Sequence, residues 1–406
     1  MPRSDVVVVG GGLAGLAAAT LLTRAQRKVV LLERTALGGR ARSQTKNGFT
    51  LNLGPHALYR TGAARALLRD LQIAVPGAAP PTRALGLVDG ALTPLPFDPI
   101  SAATTPMLRP TGRLELVRWF AYLLRLDPRT LCGQTVADWL APLSAPVLGA
   151  INAFVRVATY SPMLDQLDAG AVAAQLQRAL RGVDYLHGGW QGVVDRLAAA
   201  ARDAGVTIHT DTAVREVRGT TAHTETDTWE ANAVLLAVAP QVASDLLQSP
   251  WLTSRTLTPL RAACLDLGLT GTVPRSHRLV LGVDRPLYSS VHSDIAHLAP
   301  TGSTLIHAAI YGAQDDPDAM RAVLGAALDL QVPDWRARVV VERWMPGLVV
   351  AHDHTLASNN GARVPSAVAD RPGVWLAGDW VGDEGMLADA AAASARAAAH
   401  AILAHA

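Results

Sequence analysis

The N-terminal segment constrains the fold more than any other part of the chain. Val6 to Val9 form a short apolar run, which is typical of a buried parallel strand. Gly10, Gly12 and Gly15 follow it in the order G-x-G-x-x-G. The first glycine permits a tight turn, the second lets the backbone approach a pyrophosphate, and the third lets a helix pack closely on the sheet. The segment therefore predicts a strand, a glycine turn and a helix in that order.

The residues after these glycines complete a dinucleotide-binding unit. The amides of Leu13 and Ala14 are expected to face phosphates at the positive end of the helix dipole. Val29 to Leu32 read as the second strand, and Glu33 follows where a carboxylate accepts from ribose hydroxyls. Arg34, next to this acid, is counted with the predicted cofactor site. An acid favours an unphosphorylated ribose, so the unit predicts FAD or NAD rather than NADP.

A second glycine cluster distinguishes between these two cofactors. Gly38 to Ser43 reads Gly-Gly-Arg-Ala-Arg-Ser, and Asn52 to Tyr59 reads Asn-Leu-Gly-Pro-His-Ala-Leu-Tyr. In these segments the chain resembles the superfamily of flavin amine oxidases, phytoene desaturases and protoporphyrinogen oxidases, on its phytoene desaturase-like side. The resemblance implies FAD, with arginines along the pyrophosphate and a glycine loop against the flavin ring. The site residues implied here are Gly39, Arg40, Arg42, Gly54, Pro55 and His56.

The C-terminal segment resembles the same superfamily independently. Gly373 to Asp379 looks like a buried strand that ends in Gly-Asp, and the resemblance implies that Gly378 and Asp379 bind the ribityl part of FAD. A long alanine-rich helix is expected from about Met386, with Leu387 in its first turn, and its N-terminus would aim at the flavin ring. Some members of the superfamily attach the flavin covalently through a C-terminal cysteine, and because no cysteine follows Cys264, the resemblance implies non-covalent FAD.

Further segments extend the resemblance over most of the chain. Leu186 to Leu197 resembles the superfamily's Gly-Gly pair and following helix. The resemblance implies that the backbone of Val214 contacts the adenine, and that the strand containing Ala237 returns below the pyrophosphate.

The order of these segments predicts an α/β fold. A Rossmann-type FAD-binding domain is discontinuous and carries an inserted α+β substrate domain. The FAD-binding domain is expected from residues 1–75, 185–245 and 350–406, and the substrate domain from residues 76–184 and 246–349. Residues 111–184 read as helices, whereas Arg278 to Val283 and Val339 to Trp344 suggest strands.

Composition excludes several other classes of protein. The 406 residues suffice for two domains, and 36 basic against 34 acidic residues give a net charge of +2, so no nucleic-acid partner is expected. Cys132 and Cys264 suggest no disulfide framework. No metal is expected, because Cys-x-x-Cys and His-Glu-x-x-His spacings are absent. Met1 to Ser4 is too short for a secretory signal, so a cytoplasmic protein is expected.

The sequence predicts no particular oligomeric state, and it allows two interpretations of membrane contact. Trp139 to Val155 is an uncharged run interrupted by prolines, which favours a segment of the substrate domain over a membrane span. Leu114 to Leu126 has apolar residues at helical spacing. A helix packed on its own domain is the favoured interpretation of that segment, and peripheral membrane contact is the alternative.

The expected activity follows from what is present and what is missing. No second G-x-G-x-x-G follows a strand, so oxygen or a quinone is the expected electron acceptor rather than NAD(P)H. No lysine follows Lys46, which makes amine oxidation a weaker alternative, because the amine oxidases of this superfamily place a lysine near flavin N5. The predicted reaction is desaturation of an apolar or polycyclic small molecule by hydride transfer to flavin N5. A non-redox isomerase or cyclase, and a cofactor-binding interaction protein, are further alternatives.

Candidate residues for catalysis lie near the expected flavin ring. His56 and Tyr59 are candidate acids or bases, although His56 is alternatively a backbone hydrogen-bonding residue and Tyr59 a packing residue. Tyr160, Arg343 and Trp344 are candidate lining residues of the substrate pocket. Arg343 would either hold a substrate carboxylate or form a structural ion pair.

Overall fold

The protein is described by a computed structural model that covers residues 3–312 and 316–405. Met1 and Pro2, on which the expectation about a secretory signal partly rests, lie outside the described residues, as does Ala406 at the predicted end of the FAD-binding domain. The strands are β1 (Ser4–Val9), β2 (Val29–Leu32), β3 (Ser43–Lys46), β4 (Phe49–Asn52), β5 (Leu58–Tyr59), β6 (Gly77–Ala78), β7 (Leu85–Val88), β8 (Ala91–Pro94), β9 (Val183–Leu186), β10 (Thr207–His209), β11 (Glu216–Arg218), β12 (Thr221–His223), β13 (Thr228–Leu236), β14 (Leu260–Thr270), β15 (Leu279–Gly282), β16 (Leu287–Val291), β17 (Ser303–Tyr311), β18 (Val339–Ala351) and β19 (Val374–Leu376). The helices are α1 (Leu13–Arg24), α2 (Ala63–Asp70), α3 (Pro99–Thr104), α4 (Pro110–Arg125), α5 (Val136–Leu140), α6 (Ala145–Thr159), α7 (Ala169–Leu180), α8 (Gln191–Ala204), α9 (Pro240–Leu247), α10 (Pro250–Thr253), α11 (Pro317–Gln331) and α12 (Leu387–Ala404).

A parallel sheet brings together three distant parts of the chain. Its strands lie in the order β10–β2–β1–β13–β19, and β12 and β11 extend the other half of β13 as antiparallel strands. Val7 pairs with Val30 on one side and with Val234 on the other. The valine run is apolar throughout because a strand inside a parallel sheet is covered on both faces. This arrangement confirms the predicted mixed α/β fold class.

Small side chains let the helices pack closely on this sheet. α1 contacts both α8 and α12, and the core between them contains the buried Ala18, Ala395 and Ala399. Alanine loses no side-chain entropy on burial and allows close approach of two helix backbones. The alanine-rich C-terminus is therefore a packed helix of the sheet's covering layer.

A second sheet also has seven strands. Its strands lie in the order β18–β14–β17–β16–β15–β7–β8, and α11 packs on β14 and β17. β15 lies within the segment expected as a strand, whereas β18 continues beyond Trp344 to Ala351. Pro346 lies inside β18, which is an edge strand with a register shift at this point, where proline is tolerated. Two small sheets, β3–β4 and β5–β9–β6, complete the strands.

Helices fill most of the segment between residues 110 and 180. The Trp139 to Val155 run divides into the end of α5 and most of α6. α4 buries Leu116, Trp119 and Leu123 against its own domain, as the favoured interpretation expects. Its other face leaves apolar side chains exposed: Leu114 at 51%, Val117 at 59% and Leu124 at 63%. In the described part of the chain, no helix combines the length and hydropathy needed to cross a membrane.

Candidate cofactor and substrate site

A cavity of about 1150 Å³ is lined by residues of both large sheets. The parallel sheet contributes the carboxyl ends of its strands, including Gly10 after β1, Glu33 after β2 and Gly378 after β19. Ligands of open α/β sheets bind at this edge. The second sheet contributes side chains such as Cys264 and Tyr288. A cofactor held by the first sheet would therefore face a substrate held by the second.

The three glycines of the N-terminal turn have different surroundings. A Cβ on Gly10, whose φ is +103°, would lie 2.5 Å from the Ala237 carbonyl oxygen. A Cβ on Gly15 would lie 1.9 Å from the carbonyl oxygen of Gly10, so helix and strand contact each other through their backbones. A Cβ on Gly12 would meet nothing within 4 Å, because this residue faces the cavity. The space beside Gly12 is the cradle that a pyrophosphate requires.

The start of α1 offers hydrogen-bond donors to this cradle. Leu13 and Ala14 line the cavity, and Gly12 at the N-cap position has no side chain to satisfy the first amides of the helix. Such amides bind anions, since the helix dipole adds positive potential. The residues therefore fit the phosphates of a dinucleotide.

Glu33 is fixed beside the glycine turn. Its carboxylate accepts from the Gly11 amide at 2.7 Å and from the Thr35 amide at 2.9 Å. Arg34 lines the cavity with an exposed side chain, and Val214 and Ala237 also line it. The predicted ribose, adenine and pyrophosphate residues are thus brought together along one part of the cavity.

Arg40 and Asp379 form an ion pair in the cavity wall. Two guanidinium nitrogens of Arg40 donate to the two carboxylate oxygens of Asp379 at 2.9 and 2.6 Å, and one also donates to the Val350 carbonyl. His352 donates to the same carboxylate from its backbone amide, and its ring Nδ1 lies 3.0 Å away. Burial favours the neutral acid, but Arg40 and His352 outweigh it and hold the pKa of Asp379 well below its usual range. Asp379 is therefore an ionised acceptor at the cavity wall.

The start of α12 also reaches the cavity, one residue later than expected. Leu387 lines the cavity in a left-handed backbone conformation, with φ of +56°, whereas Met386 packs into the core among the substrate-domain helices. Asp389 accepts from the Ala64 amide at 2.9 Å through one oxygen. Its other oxygen is buried and has no hydrogen-bond partner among the described residues. Burial raises the pKa of Asp389 to about 6.

Several predicted site residues do not line the cavity. Arg42 is exposed, and Gly39 rather than Arg42 borders the cavity next to Arg40. Gly54 lies underneath, where a Cβ would be 2.9 Å from the Leu348 side chain. Its neighbours Pro55 and His56 do line the cavity. Gly54 therefore packs beneath the loop, and Pro55 and His56 form the part of the loop that faces the cavity.

Arg343, a candidate lining residue of the substrate pocket, forms an ion pair away from the cavity. Its guanidinium pairs with Asp266, which is fully buried, and also donates to the Asn52 carbonyl. Asp266 is paired on its other side with His307. Arg343 does not line the cavity, so the structural ion pair, and not a hold on a substrate carboxylate, is what the structure shows. Trp344 points to the opposite face of β18, because side chains alternate along a strand, and packs near α11.

His56 is half-buried and carries a usable lone pair. Its Nδ1 lies 3.0 Å from the Gly54 carbonyl oxygen, which can only accept, so Nδ1 carries the proton and Nε2 is free of it. The ring lies 5.4 Å from the Trp190 ring. Burial lowers the pKa of His56 to about 4, although the bond to Gly54 opposes this shift. The ring is therefore neutral at physiological pH with an unprotonated Nε2, although the lowered pKa makes it a weaker base than a free imidazole.

Tyr59 lines the cavity but its hydroxyl is already engaged. The O–H donates to the Ala158 carbonyl oxygen at 3.1 Å. Burial raises the pKa of Tyr59, so the phenol keeps its proton. This arrangement favours the packing alternative for Tyr59.

The substrate end contains residues that the sequence did not single out. Tyr185 and Tyr288 line the cavity with their hydroxyl oxygens 3.2 Å apart, and the Tyr288 hydroxyl lies 2.9 Å from His292 Nε2. Cys264 and Trp190 line it as well. Alternation along β16 indicates that Tyr288 and Ser290 share a face, but the sequence does not say which face meets the cofactor.

Comparison with known proteins identifies the family. The family described as flavin-containing amine oxidoreductases matches residues 13–403. The chain therefore belongs to the flavin-containing amine oxidoreductase family, as its motifs predicted, and is classed with the FAD-dependent oxidoreductases.

Individual relatives match short segments. A phytoene dehydrogenase of Streptomyces griseus is 50% identical over 58 residues, which are 14% of this chain and 11% of that protein. An all-trans-retinol 13,14-reductase of Homo sapiens is 44% identical over 59 residues, which are 14% of this chain and 10% of that protein. The matched segments thus span about a tenth of these relatives.

Solved structures share the fold over almost the whole chain. An oxidoreductase of Methanosarcina mazei has a TM-score of 0.78 at 17% identity and covers 97% of this chain and 99% of its own. Putrescine oxidase bound to putrescine has a TM-score of 0.73 at 17% identity and covers 99% of both chains. A reduced UDP-galactopyranose mutase has a TM-score of 0.71 at 13% identity and covers 100% of this chain and 95% of its own. At these identities the likeness concerns the fold alone.

Proposed function

We propose that this chain dehydrogenates an apolar or polycyclic small molecule. One observation carries the proposal: the cavity wall contributed by the second sheet is uncharged and continuous with the cofactor cradle. That wall consists of Ala262, Cys264, Leu279, Leu281, Tyr288, Ala309, Leu348, Val349 and Val350. An apolar substrate is favoured there because burying a charge without a partner is costly.

The charges of the cavity argue against a substrate ammonium group. Among the described lining residues, the carboxylates are those of Glu33 and Asp379. Glu33 lies at the expected ribose position, and Asp379 is neutralised by Arg40. A protonated amine at the uncharged wall would have no counter-ion, which makes amine oxidation the weaker alternative.

The chain's own residues would hold FAD and orient the substrate. The amides at the start of α1 would bind the pyrophosphate beside Gly12, and Glu33 would bind the ribose. The helix dipole of α12, which begins at Leu387, would favour negative charge on the ring. When bound, FAD supplies the hydride acceptor N5 and passes the electron pair to oxygen or a quinone, while the substrate also loses a proton and gains a C=C bond. The lone pair on His56 Nε2 would accept that proton.

We propose that FAD is held without a covalent bond. The thiolate is the form of cysteine that attacks an electrophile. Cys264 lines the cavity, but burial raises the pKa of its thiol and so keeps it protonated. Cys132 is exposed and does not line the cavity.

Anaerobic mixing of the FAD-loaded protein with candidate substrates tests the reaction. Apolar polyenes and polycyclic compounds are expected to bleach the flavin band at a rate that saturates with concentration, and putrescine is the matched amine probe. Bleaching by amines alone would establish the amine oxidase alternative. Chemical conversion without any net electron transfer to an acceptor would establish the isomerase or cyclase alternative. Bound FAD that no small molecule can reach would favour an interaction protein.

We further propose a cytoplasmic location with contact to a membrane surface. The exposed apolar face of α4 supports contact, because Leu114, Val117 and Leu124 lie on one side of the helix. Arg118 and Arg125 on the same helix suit anionic headgroups. Co-sedimentation with anionic vesicles is expected and should be lost in a Val117→Asp, Leu124→Asp variant. Equal sedimentation of both proteins would dismiss this contact.

A further inference from the structure

Tyr160 is held in an unusual backbone conformation at the cavity. It follows the last residue of α6 with φ of 59° and ψ of 19°, and its amide donates to the Arg156 carbonyl at 2.7 Å. Glycine or asparagine is usual at a left-handed helix end, because a Cβ is strained there. The left-handed backbone conformation of Tyr160 is therefore strained, and this strain is the energetic cost of placing an aromatic side chain here.

Packing fixes the direction of the Tyr160 ring. The ring stands edge-on to Tyr311, with 5.5 Å between the centroids and 78° between the planes. It belongs to a buried cluster that includes Cys264 and Ala309, which both line the cavity. Tyr160 is 8% exposed and itself lines the cavity. Its position is thus set by the core and not by a flexible surface.

The hydroxyl of Tyr160 differs from the other phenols of the cavity wall. Tyr59 donates to the Ala158 carbonyl, and Tyr185 and Tyr288 lie within hydrogen-bond distance of each other. Within residues 3–312 and 316–405, the Tyr160 hydroxyl makes no hydrogen bond. Burial raises the pKa of Tyr160 well above its ordinary value, so the group is a donor at any physiological pH.

We propose that the Tyr160 hydroxyl donates a hydrogen bond to a single oxygen on an otherwise apolar substrate. The site would then select an alcohol or ketone over the matching hydrocarbon. This inference rests on the proposed function and specifies its substrate class. A hydrocarbon that fills the cavity would displace water from the hydroxyl and leave the donor unpaired, which disfavours its binding.

Equilibrium binding of two matched probes tests the proposal without turnover. The probes are β-ionone and the hydrocarbon that has CH₂ in place of its carbonyl, each titrated into the oxidised FAD-loaded protein by calorimetry. The wild-type protein is expected to bind the ketone about tenfold more tightly than the hydrocarbon, which corresponds to one neutral hydrogen bond. Tyr160→Phe should remove this preference, because only the donor is lost.

Tyr311→Phe is the matched control. The Tyr311 hydroxyl is buried without a partner in the described chain and does not line the cavity, although its ring contacts Tyr160. This variant should keep the tenfold preference, and its FAD content and that of Tyr160→Phe are measured before titration.

The possible failures are distinguishable. Equal affinity of the two probes for the wild-type protein, or an unchanged preference in Tyr160→Phe, overturns the role of Tyr160 and leaves the proposed function standing. Binding of neither probe refutes the apolar-substrate function itself, and the role of Tyr160 falls with it. If Tyr160→Phe does not bind FAD, the same two probes are titrated into the FAD-free wild-type and Tyr160→Phe proteins, and an unchanged preference again overturns the role of Tyr160.

Discussion

Two alanine substitutions in the N-terminal turn should separate cofactor binding from folding. Gly12→Ala adds a methyl group where nothing lies within 4 Å, and Gly12 has φ of −78°, which alanine adopts freely. Gly15→Ala adds the same methyl group 1.9 Å from the Gly10 carbonyl oxygen. The first change therefore fills the pyrophosphate cradle, and the second forces α1 away from β1.

The magnitudes follow from these contacts. Gly15→Ala overpacks the contact between α1 and β1, which costs typically 1–3 kcal/mol. The substitution also gains about 1 kcal/mol in helix propensity, which offsets part of the cost of the backbone clash. The net result should be a free energy of unfolding of the FAD-free protein that is lower by about 1–3 kcal/mol. Gly12→Ala should change that free energy by less than about 0.5 kcal/mol. It should instead remove at least one hydrogen bond to a charged phosphate, worth about 1.5–3 kcal/mol, and weaken FAD binding about 10- to 100-fold.

Urea unfolding of the FAD-free proteins measures the first quantity, and a titration of flavin fluorescence measures the second. The reasoning is refuted if Gly12→Ala is destabilised as much as Gly15→Ala while its FAD affinity stays at the wild-type value.

Substitutions at Asp389, at the Arg343–Asp266 pair and at His56 test individual side chains. Asp389→Asn should raise the free energy of unfolding above pH 6 by on the order of 3 kcal/mol in urea titrations, because burial raises the pKa of Asp389 to about 6 and its ionised form opposes folding there. This gain should vanish as the pH falls toward 4, where the wild-type acid is neutral. A gain that does not change with pH would contradict the prediction. Arg343→Met should cost about 3–5 kcal/mol, since it leaves buried Asp266 without its cation, and adding Asp266→Asn should recover part of the loss; no cost in urea unfolding would dismiss the ion pair. His56→Asn should slow anaerobic flavin reduction about 100-fold or more if Nε2 accepts the proton. The wild-type protein should lose stability as the pH falls from about 6.5 to about 4, because the folded-state pKa of His56 is about 4 and the unfolded chain binds more protons in that range. His56→Asn should reduce this loss. An unchanged rate of flavin reduction would exclude the catalytic role of His56.

The cofactor half of the site was predictable because its determinants are local. Gly10, Gly12 and Gly15 act through spacing within one turn, and the end of β2 fixes Glu33 beside them. Each residue's task follows from backbone geometry that a short segment already specifies. The predicted positions agree with the cavity there, except that Arg42 and Gly54 do not line it and that α12 reaches it through Leu387 and not Met386.

The substrate half depends on the register of distant strands. Ser290, His307, Asp266 and Arg343 occupy paired positions on β16, β17, β14 and β18. No local pattern reveals that these four side chains form one polar row, so the sequence left both interpretations of Arg343 open. The boundaries of the predicted domains stay a prediction, although the strands of three segments share one sheet.

Hydrogen exchange of the FAD-free protein, with and without added FAD, tests the central claim most directly. If both ends of the chain surround one FAD, a single equivalent should slow exchange at the glycine turn of residues 10–15 and at residues 378–390 together. Failure to bind FAD, or slower exchange at one of these segments only, would contradict the account.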